Sequence, residues 1–138
     1  MLHQIARRPM TLRAVAAACL IAVAGCGPRL AAGPADAPRY VVFFTAFSGN
    51  LEAPAKGVVS EAAAAARGQT GAVVVAGYAD SVGTPETNVT LSRLRAQNVA
   101  DELVADGVDR ARIILRPRGQ VAGDQGLESR RVEIQLTR

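Results

Sequence analysis

The sequence predicts an α+β fold, a two-layer βαβαββ sandwich with two helices on one face of a mixed sheet. Short apolar runs bounded by glycine or proline indicate strands, and two longer segments carry the apolar spacing of helices. The last segment alternates between apolar and polar residues, as a strand with one solvated face does. Strands are expected at 40–44, 72–76, 112–116 and 131–136, and helices at 51–67 and 85–106. Pro117 is expected to end the third strand.

The first strand and helix are predicted from the chain between Tyr40 and Arg67. The run VVFF at 41–44 is continuously apolar, so this strand should be central or covered on both faces. Asn50 is a candidate N-cap for the helix that follows. The inward stripe of that helix should comprise Val58, Val59, Ala62, Ala63 and Ala66.

The second helix has the clearest boundaries. Thr84 can cap it, Pro85 occupies its first position, and Gly107 supplies the left-handed residue that ends it. Its inward stripe should comprise Ser92, Ala96, Val99, Ala100 and Leu103.

An acidic and a basic side chain are expected to meet where the second strand passes into this helix. Asn88 and Arg95 lie about 20° apart at the edge of the apolar face of the helix. Asp80 stands at the carboxyl end of the strand. Because backbone elements hold both charges, Asp80 should share one shallow site with the Arg95 guanidinium, and an acid and a base together suit a zwitterionic ligand.

The first 25 residues are predicted to be a signal peptide. Arg7, Arg8 and Arg13 form its positive region, and residues 14–25 form an apolar segment too short to span a bilayer. The sequence VAGC at 23–26 resembles a bacterial lipobox, in which Cys26 is lipidated and becomes the first residue. An ordinary signal peptide with an incidental cysteine is the alternative. Residues 26–39 would then be the lipidated cysteine and a flexible linker rich in proline, glycine and alanine.

Composition excludes several classes of function. Three of the 16 basic residues lie in the signal peptide, which leaves 13 against 12 acidic residues, so we do not expect nucleic-acid binding. His3 and Cys19 also leave with the signal peptide, so the exported domain has neither histidine nor a free thiol. This excludes Ser–His and Cys–His nucleophile pairs and nearly all zinc sites, and we expect neither catalysis nor a cofactor. Asp80 and Glu86 are a formal catalytic carboxylate pair that no second feature supports.

Three spaced motifs resemble those of the OmpA-like peptidoglycan-binding domain. They are GYADSVG at 77–83, N-x-x-L-S-x-x-R-A-x-x-V at 88–99 and SRRVEI at 129–134. The usual motifs are G-H-T-D-x-x-G, N-x-x-L-S-x-x-R-A-x-x-V and N-R-R-V-E, and the resemblance covers most of a domain predicted at 40–138. Tyr78, Ala79 and Ser129 depart from this pattern, and the loop before the last motif is shorter than usual.

The resemblance implies noncovalent binding of the peptidoglycan stem peptide, chiefly its diaminopimelate residue, whose side chain ends in an ammonium and a carboxylate. Asp80 would bind the ammonium, and Arg95 would fork onto the carboxylate. Asn88 would orient the loop or donate to a peptide carbonyl, and Arg131 would supply a second cation at the rim. The chain is also similar to peptidoglycan-associated outer-membrane lipoproteins, which implies a lipid anchor in the outer membrane and a domain facing the periplasm.

Other interpretations stay open at this point. Asp80 and Arg95 can simply pair with each other, which contributes little near a surface. The domain can also be an interaction scaffold for envelope proteins that kept the fold and lost glycan binding, which Tyr78 and Ala79 favour. An enzyme acting on the cell wall is opposed by the missing histidine and cysteine.

Overall fold

The computed structural model describes residues 37–123 and 125–138. The predicted signal peptide, Cys26 and most of the linker lie outside the described residues. The main elements are β1 (Arg39–Phe43), α1 (Ala53–Arg67), β2 (Val73–Ala79), α2 (Pro85–Ala105), β3 (Ile113–Gln120) and β4 (Arg131–Leu136). Short 3-10 helices at Arg110–Arg112 and Leu127–Ser129 precede β3 and β4. This order confirms the predicted α+β class and its βαβαββ arrangement.

The four strands form one mixed sheet in the order β1-β4-β2-β3. β4 runs antiparallel to both β1 and β2, whereas β2 and β3 are parallel and are connected through α2. β1 and β2 therefore point in the same direction, and their carboxyl ends lie beside the start of β4. We call this part of the sheet the site end.

β1 is an edge strand of this sheet, so the prediction that it is central or covered on both faces is wrong. Its inward residue Val42 is 1% exposed, whereas its neighbour Phe43 is 46% exposed. Strand alternation explains the difference, because successive side chains point to opposite faces and the helices cover one face. Phe43 is consequently an aromatic side chain on the face that the helices leave open.

Two boundaries also differ from the prediction. α1 begins at Ala53 after the N-cap residue Glu52, while the backbone N–H of Asn50 donates to Ser48 Oγ at 3.0 Å in the preceding turn. β3 continues beyond Pro117 instead of ending there. Proline lacks a backbone N–H, and an edge strand tolerates that loss because one of its sides has no strand partner.

Both helices pack on the same face of the sheet through the predicted stripes. The buried core includes Val59, Ala62 and Ala66 of α1, Ala96, Val99 and Leu103 of α2, and Val132, Ile134 and Leu136 of β4. Many of these side chains are small, and such residues let helices approach strands closely without leaving voids.

Both ends of α2 agree with the prediction. Thr84 Oγ1 accepts a hydrogen bond from the Thr87 backbone N–H at 3.2 Å, as an N-cap does. At the other end, Gly107 adopts a φ of +89° and its N–H donates to the Val104 carbonyl at 2.9 Å. Among the helices described, none combines the length and the apolar character needed to cross a membrane.

Gly77 sets the distance between β2 and α2. A Cβ atom at this position would lie 2.1 Å from the backbone oxygen of Ser92, far inside van der Waals contact. Ser92 Oγ in turn accepts from the Gly119 N–H at 3.0 Å and so links α2 to β3. The half of α2 that carries Arg95 is therefore held closely against two strands.

The close approach predicts a large and position-specific cost for one added methyl group. Gly77→Ala should lower the free energy of unfolding by about 3 kcal/mol, because the helix backbone must move away from the sheet. Gly57→Ala is a matched control, since Gly57 lies exposed within α1 and a Cβ there meets nothing within 4 Å. It should raise stability by up to about 1 kcal/mol. Urea unfolding measures both; equal midpoints for the two variants would contradict the close approach.

Candidate functional site

The candidate site lies at the site end, where four segments converge. Asp80 directly follows β2, and Arg130 directly precedes β4. The turn after β1 lies beside them, because the Phe44 N–H donates to the Arg130 carbonyl at 2.8 Å. Arg95 reaches this place from the middle of α2. The structure thus places Asp80 and Arg95 at the same end of the sheet, and their joint use of one ligand stays a prediction.

Arg95 is fully buried and its guanidinium is bonded to backbone carbonyls. Nε donates to Ser48 O at 2.8 Å, Nη1 to Tyr78 O at 3.0 Å and Nη2 to Thr45 O at 3.1 Å. The side chain has no exposed surface. Three of the five guanidinium N–H donors therefore serve the protein's own backbone. The fork of Arg95 onto a ligand carboxylate stays a prediction, and in this structure it would have to use the two remaining donors.

Burial lowers the pKa of Arg95 to about 10, while the nearby Asp80 carboxylate raises it and Arg130 lowers it further. The desolvation of a charged group is the main cause. A pKa of about 10 still leaves the guanidinium charged at neutral pH. The site thus contains a permanent buried cation.

The carbonyls that Arg95 holds flank a turn with an unusual backbone. Thr45 and Ser48 enclose Phe47, which has a φ of +56° and a side chain that is 70% exposed. A positive φ is rare for a bulky residue and costs free energy. Two hydrogen bonds from one guanidinium, together with its position 5.3 Å from the Phe44 ring centroid, hold this turn in place.

Asp80 pairs with Arg130, and within the described residues its ion pair is not with Arg95. Arg130 Nη1 lies 3.4 Å from Asp80 Oδ2 and 3.2 Å from the Gln125 carbonyl, and both distances are long. Arg130 Nε is buried and has no hydrogen-bond partner among the described residues. Asp80 also accepts from the Val82 N–H at 3.2 Å. Arg130 is therefore a loosely held cation, in contrast to Arg95.

Asn88, in the first turn of α2, bonds across the fold to β3. It is 2% exposed, and its Nδ2 donates to Gln120 Oε1 at 3.3 Å, which links the first turn of α2 to the end of β3. The link helps to fix the loop between β2 and α2. The predicted donation from Asn88 to a ligand carbonyl stays a prediction.

Arg131 lies on the face of the sheet that the helices leave open, not beside Asp80. Its guanidinium stacks 4.3 Å from the centroid of the Tyr78 ring and bonds to Glu133 Oε1 at 2.8 Å. Tyr78 stands where the family motif has histidine, and its ring contacts Arg131 on this open face. The Asp80–Arg130 contact is present together with this tyrosine.

Arg130 is the site residue that sequence reasoning missed. The alternation of β4 contained the signal, because successive side chains of a strand point to opposite faces. Val132 points inward and Arg131 points outward, so the same alternation places Arg130, one residue before the strand, on the inward side. One carboxylate and two guanidinium groups leave the cluster of Asp80, Arg95 and Arg130 with one uncompensated positive charge. Such a cluster suits a ligand that carries an acid as well as a base. The described residues contain no group of His, Cys, Asp and Glu that could hold a metal ion.

A groove of about 340 Å³ opens beside Arg130. Its lining includes Phe43, Leu127, Asn50 and Glu52. Arg130 belongs both to this groove and to the charged cluster, so the two are continuous.

Comparisons with curated proteins find partial relatives. The chain is 46% identical over 50 residues to an outer membrane protein A from Yersinia pseudotuberculosis, covering 36% of this chain and 14% of that protein. It is 42% identical over 73 residues to a probable lipoprotein, YiaD, from Escherichia coli, covering 48% of this chain and 33% of that protein. The matches thus span a third or less of the length of these relatives.

Solved structures share the fold at lower identity. The OmpA-like domain of FopA1 from Francisella tularensis superposes with a TM-score of 0.62 at 24% identity, covering 71% of this chain and 70% of that one. The peptidoglycan-associated lipoprotein from Burkholderia pseudomallei gives 0.61 at 20% identity, covering 71% and 88%. The C-terminal domain of Helicobacter pylori MotB gives 0.62 at 21% identity, covering 73% and 84%.

A family model extends over most of the described domain. The OmpA family matches residues 43–133, which include Asp80, Arg95, Arg130 and all three spaced motifs, the last apart from its final residue. This match agrees with the four-stranded mixed sheet and with the likeness to solved OmpA-like domains. The chain therefore belongs to the OmpA family.

Proposed function

We propose that this chain is a non-catalytic module that binds the stem peptide of peptidoglycan noncovalently, through its diaminopimelate residue. The observation that carries the proposal is the pairing of a nearly buried carboxylate, Asp80, with the loosely held guanidinium of Arg130 over the buried Arg95. Membership of the OmpA family and likeness to a peptidoglycan-associated lipoprotein support the choice of ligand.

Each charge of the ligand has a partner in this proposal. The ammonium of diaminopimelate replaces Arg130 as the partner of Asp80, and the released Arg130 binds the distal carboxylate. Arg95 adds a fixed positive charge to the site from its buried position. Asn88 holds the loop, and Arg131 contributes at the rim through its charge on the open face.

Lipidation at Cys26 would place this module in the outer membrane with its domain in the periplasm. The short linker of residues 26–39 spans at most roughly 40 Å when extended, so the domain would grip the wall close to the membrane. The module would then tether the outer membrane to peptidoglycan. Gly27 after the cysteine supports this location, because aspartate there is the usual inner-membrane retention signal.

A second candidate function is an interaction scaffold for an envelope complex without glycan binding. The observation that favours it is the environment of Arg95, whose donors to Ser48, Tyr78 and Thr45 satisfy much of the guanidinium without any ligand. Substitutions at Asp80 and Arg130 distinguish this function from the first, because neither residue holds the turn after β1 by its side chain.

The ligand test uses two stem peptides and two charge deletions. A peptide with diaminopimelate should bind about tenfold or more weakly to Asp80→Asn and to Arg130→Gln, since charge-assisted hydrogen bonds contribute about 1.5–3 kcal/mol each. A peptide with lysine at the third position keeps the ammonium and lacks the carboxylate. Its weaker binding should depend on Asp80 and hardly at all on Arg130. Calorimetry on the full chain in detergent measures all six affinities, those of the wild type and of both variants for each peptide.

A matched control for charge deletion is Asp101→Asn, because Asp101 is an exposed carboxylate on α2 that pairs with Arg110 at 2.7 Å. The affinity of the Asp101→Asn variant for both peptides should equal that of the wild type. Equal affinities of wild type, Asp80→Asn and Arg130→Gln for the diaminopimelate peptide, with circular dichroism unchanged, would exclude the proposed site and favour the scaffold.

The membrane anchor has a separate test. Cys26→Ser should abolish labelling by a fatty-acid analogue and leave either uncleaved precursor or protein released from the membrane fraction. Stable attachment of a lipoprotein to the membrane requires more than one acyl chain. Without the Cys26 thiol the lipid cannot be attached at this residue, so the released domain should not stay in the membrane fraction. Cys19→Ser is the control and should change neither labelling nor fractionation. Unchanged labelling in Cys26→Ser would exclude lipidation at this residue.

A further inference from the structure

The open face is the surface of the sheet opposite the two helices. The register of the strands places its side chains in three rows that cross the sheet from β1 to β3. The rows are Arg39, Gln135, Val74 and Ile114; then Val41, Glu133, Ala76 and Arg116; and then, at the site end, Phe43, Arg131 and Tyr78. Apolar and aromatic side chains therefore lie between arginines on one continuous surface.

Arg118 extends this surface along β3. A Cβ atom on the next residue, Gly119, would lie 3.1 Å from Val89 of α2, so Gly119 faces the helices. Since successive residues of a strand point to opposite faces, Arg118 points to the open face.

The open face has a positive charge that its own residues do not balance. It carries four arginines against one acid, Glu133, which leaves a net charge of +3; the arginines are Arg39, Arg116, Arg118 and Arg131. Glu133 already lies 2.8 Å from Arg131 and 3.8 Å from Arg39. Arg116 and Arg118 are exposed, and neither forms an ion pair with any residue that the structure describes.

The helical layer on the other side of the sheet has the opposite sign. In α1, α2 and their cap residues, and apart from the buried Arg95, six acids stand against three bases. The acids are Glu52, Glu61, Glu86, Asp101, Glu102 and Asp106, and the bases are Lys56, Arg67 and Arg93. The domain is therefore an electric dipole whose positive end is the open face.

We propose that the open face docks on a membrane surface that contains anionic phospholipid. An anionic lipid surface attracts clustered basic side chains, and its phosphate oxygens accept charge-assisted hydrogen bonds from guanidinium groups. Arg116 and Arg118 need not give up a protein partner to make such bonds. Tyr78 lies on the same face, and tyrosine rings are enriched at the headgroup level of membranes.

The position of the proposed lipid anchor favours a membrane over an acidic protein as the occupant. β1 begins at Arg39, which belongs to the open face, and residues 26–39 connect this strand to Cys26. An extended linker of this length spans at most roughly 40 Å, so an anchored domain would keep its open face within reach of the lipid. This step rests on the proposed function, whereas the charge pattern of the face does not depend on it.

The test uses the absence of tryptophan from the sequence. Ile114→Trp places one fluorophore on the open face, where Ile114 is 37% exposed, and Leu94→Trp places one on α2, where Leu94 is 48% exposed. The full chain is added to vesicles of phosphatidylcholine, with or without phosphatidylglycerol, that contain a headgroup-attached quencher. Quenching of the Ile114→Trp variant should rise strongly when phosphatidylglycerol is present, whereas the Leu94→Trp variant should show the same quenching in both vesicles.

The two arginines without a partner should account for most of this effect. In the Ile114→Trp chain, Arg116→Gln combined with Arg118→Gln should lower the ratio of docked to undocked domain about thirtyfold, since each basic residue near an anionic surface contributes about fivefold. Arg93→Gln combined with Arg110→Gln is the matched control, because both arginines are exposed on the helical side, and it should leave the ratio unchanged. Raising the salt from about 0.1 M to about 1 M should abolish the lipid-dependent quenching, because the Debye length falls from about 10 Å to about 3 Å.

Three results would overturn the proposal. They are equal quenching of the Ile114→Trp variant in neutral and anionic vesicles, a stronger response of the Leu94→Trp variant, and quenching that the arginine substitutions at 116 and 118 do not reduce. A shift of the Ile114→Trp emission with soluble polyglutamate and none with anionic vesicles would assign the face to an acidic protein and overturn the proposal as well. Each of these results would leave the proposed function standing, because stem-peptide calorimetry and labelling at Cys26 measure that function separately.

Discussion

The structure of the site depends on one guanidinium. Arg95 bonds to Thr45, Ser48 and Tyr78, and these carbonyls belong to the turn after β1 and to the end of β2. Desolvating a charge is costly unless hydrogen bonds compensate, and here three backbone acceptors do so. The same bonds hold Phe47 at a positive φ. A buried cation thereby fixes the two segments between which Asp80 and Arg130 meet.

The family resemblance assigns the ligand carboxylate to Arg95, whereas the structure contains two arginines with different properties at this place, Arg95 and Arg130. Arg95 is rigid and enclosed, whereas Arg130 is partly exposed and held by contacts of 3.2 and 3.4 Å. A fixed charge needs no rearrangement when a ligand binds, so no free energy is lost in ordering it. A loosely held guanidinium can exchange its protein partner for a ligand. The groove lined by Phe43 continues from Arg130, so a ligand with charged and apolar parts can contact both along one surface.

Local patterns predicted the elements of this fold well, because their causes are local. The cap at Thr84 and the left-handed Gly107 can be read from neighbouring residues. The edge position of β1 depends on the order of the strands in the sheet, which is set by pairing between segments far apart in the sequence. The apolar run of β1 contains no information about that order, so it wrongly predicted a central or covered strand. The helical spacing of Arg95 gave its angular position and not its depth. Alternation in β4 could have distinguished Arg130 from Arg131, but the strand's start had first to be known.

Side-chain hydrogen exchange tests the central claim most directly. In an NMR experiment on the full chain, the Nε–H of Arg95 should exchange with solvent orders of magnitude more slowly than that of Arg93, which is exposed on the same helix. Exposed guanidinium groups exchange rapidly, and protection requires both burial and a hydrogen bond. Slow exchange that persists up to the onset of global unfolding is the predicted result. Exchange of Arg95 as fast as that of Arg93 would contradict the buried cation on which the site depends.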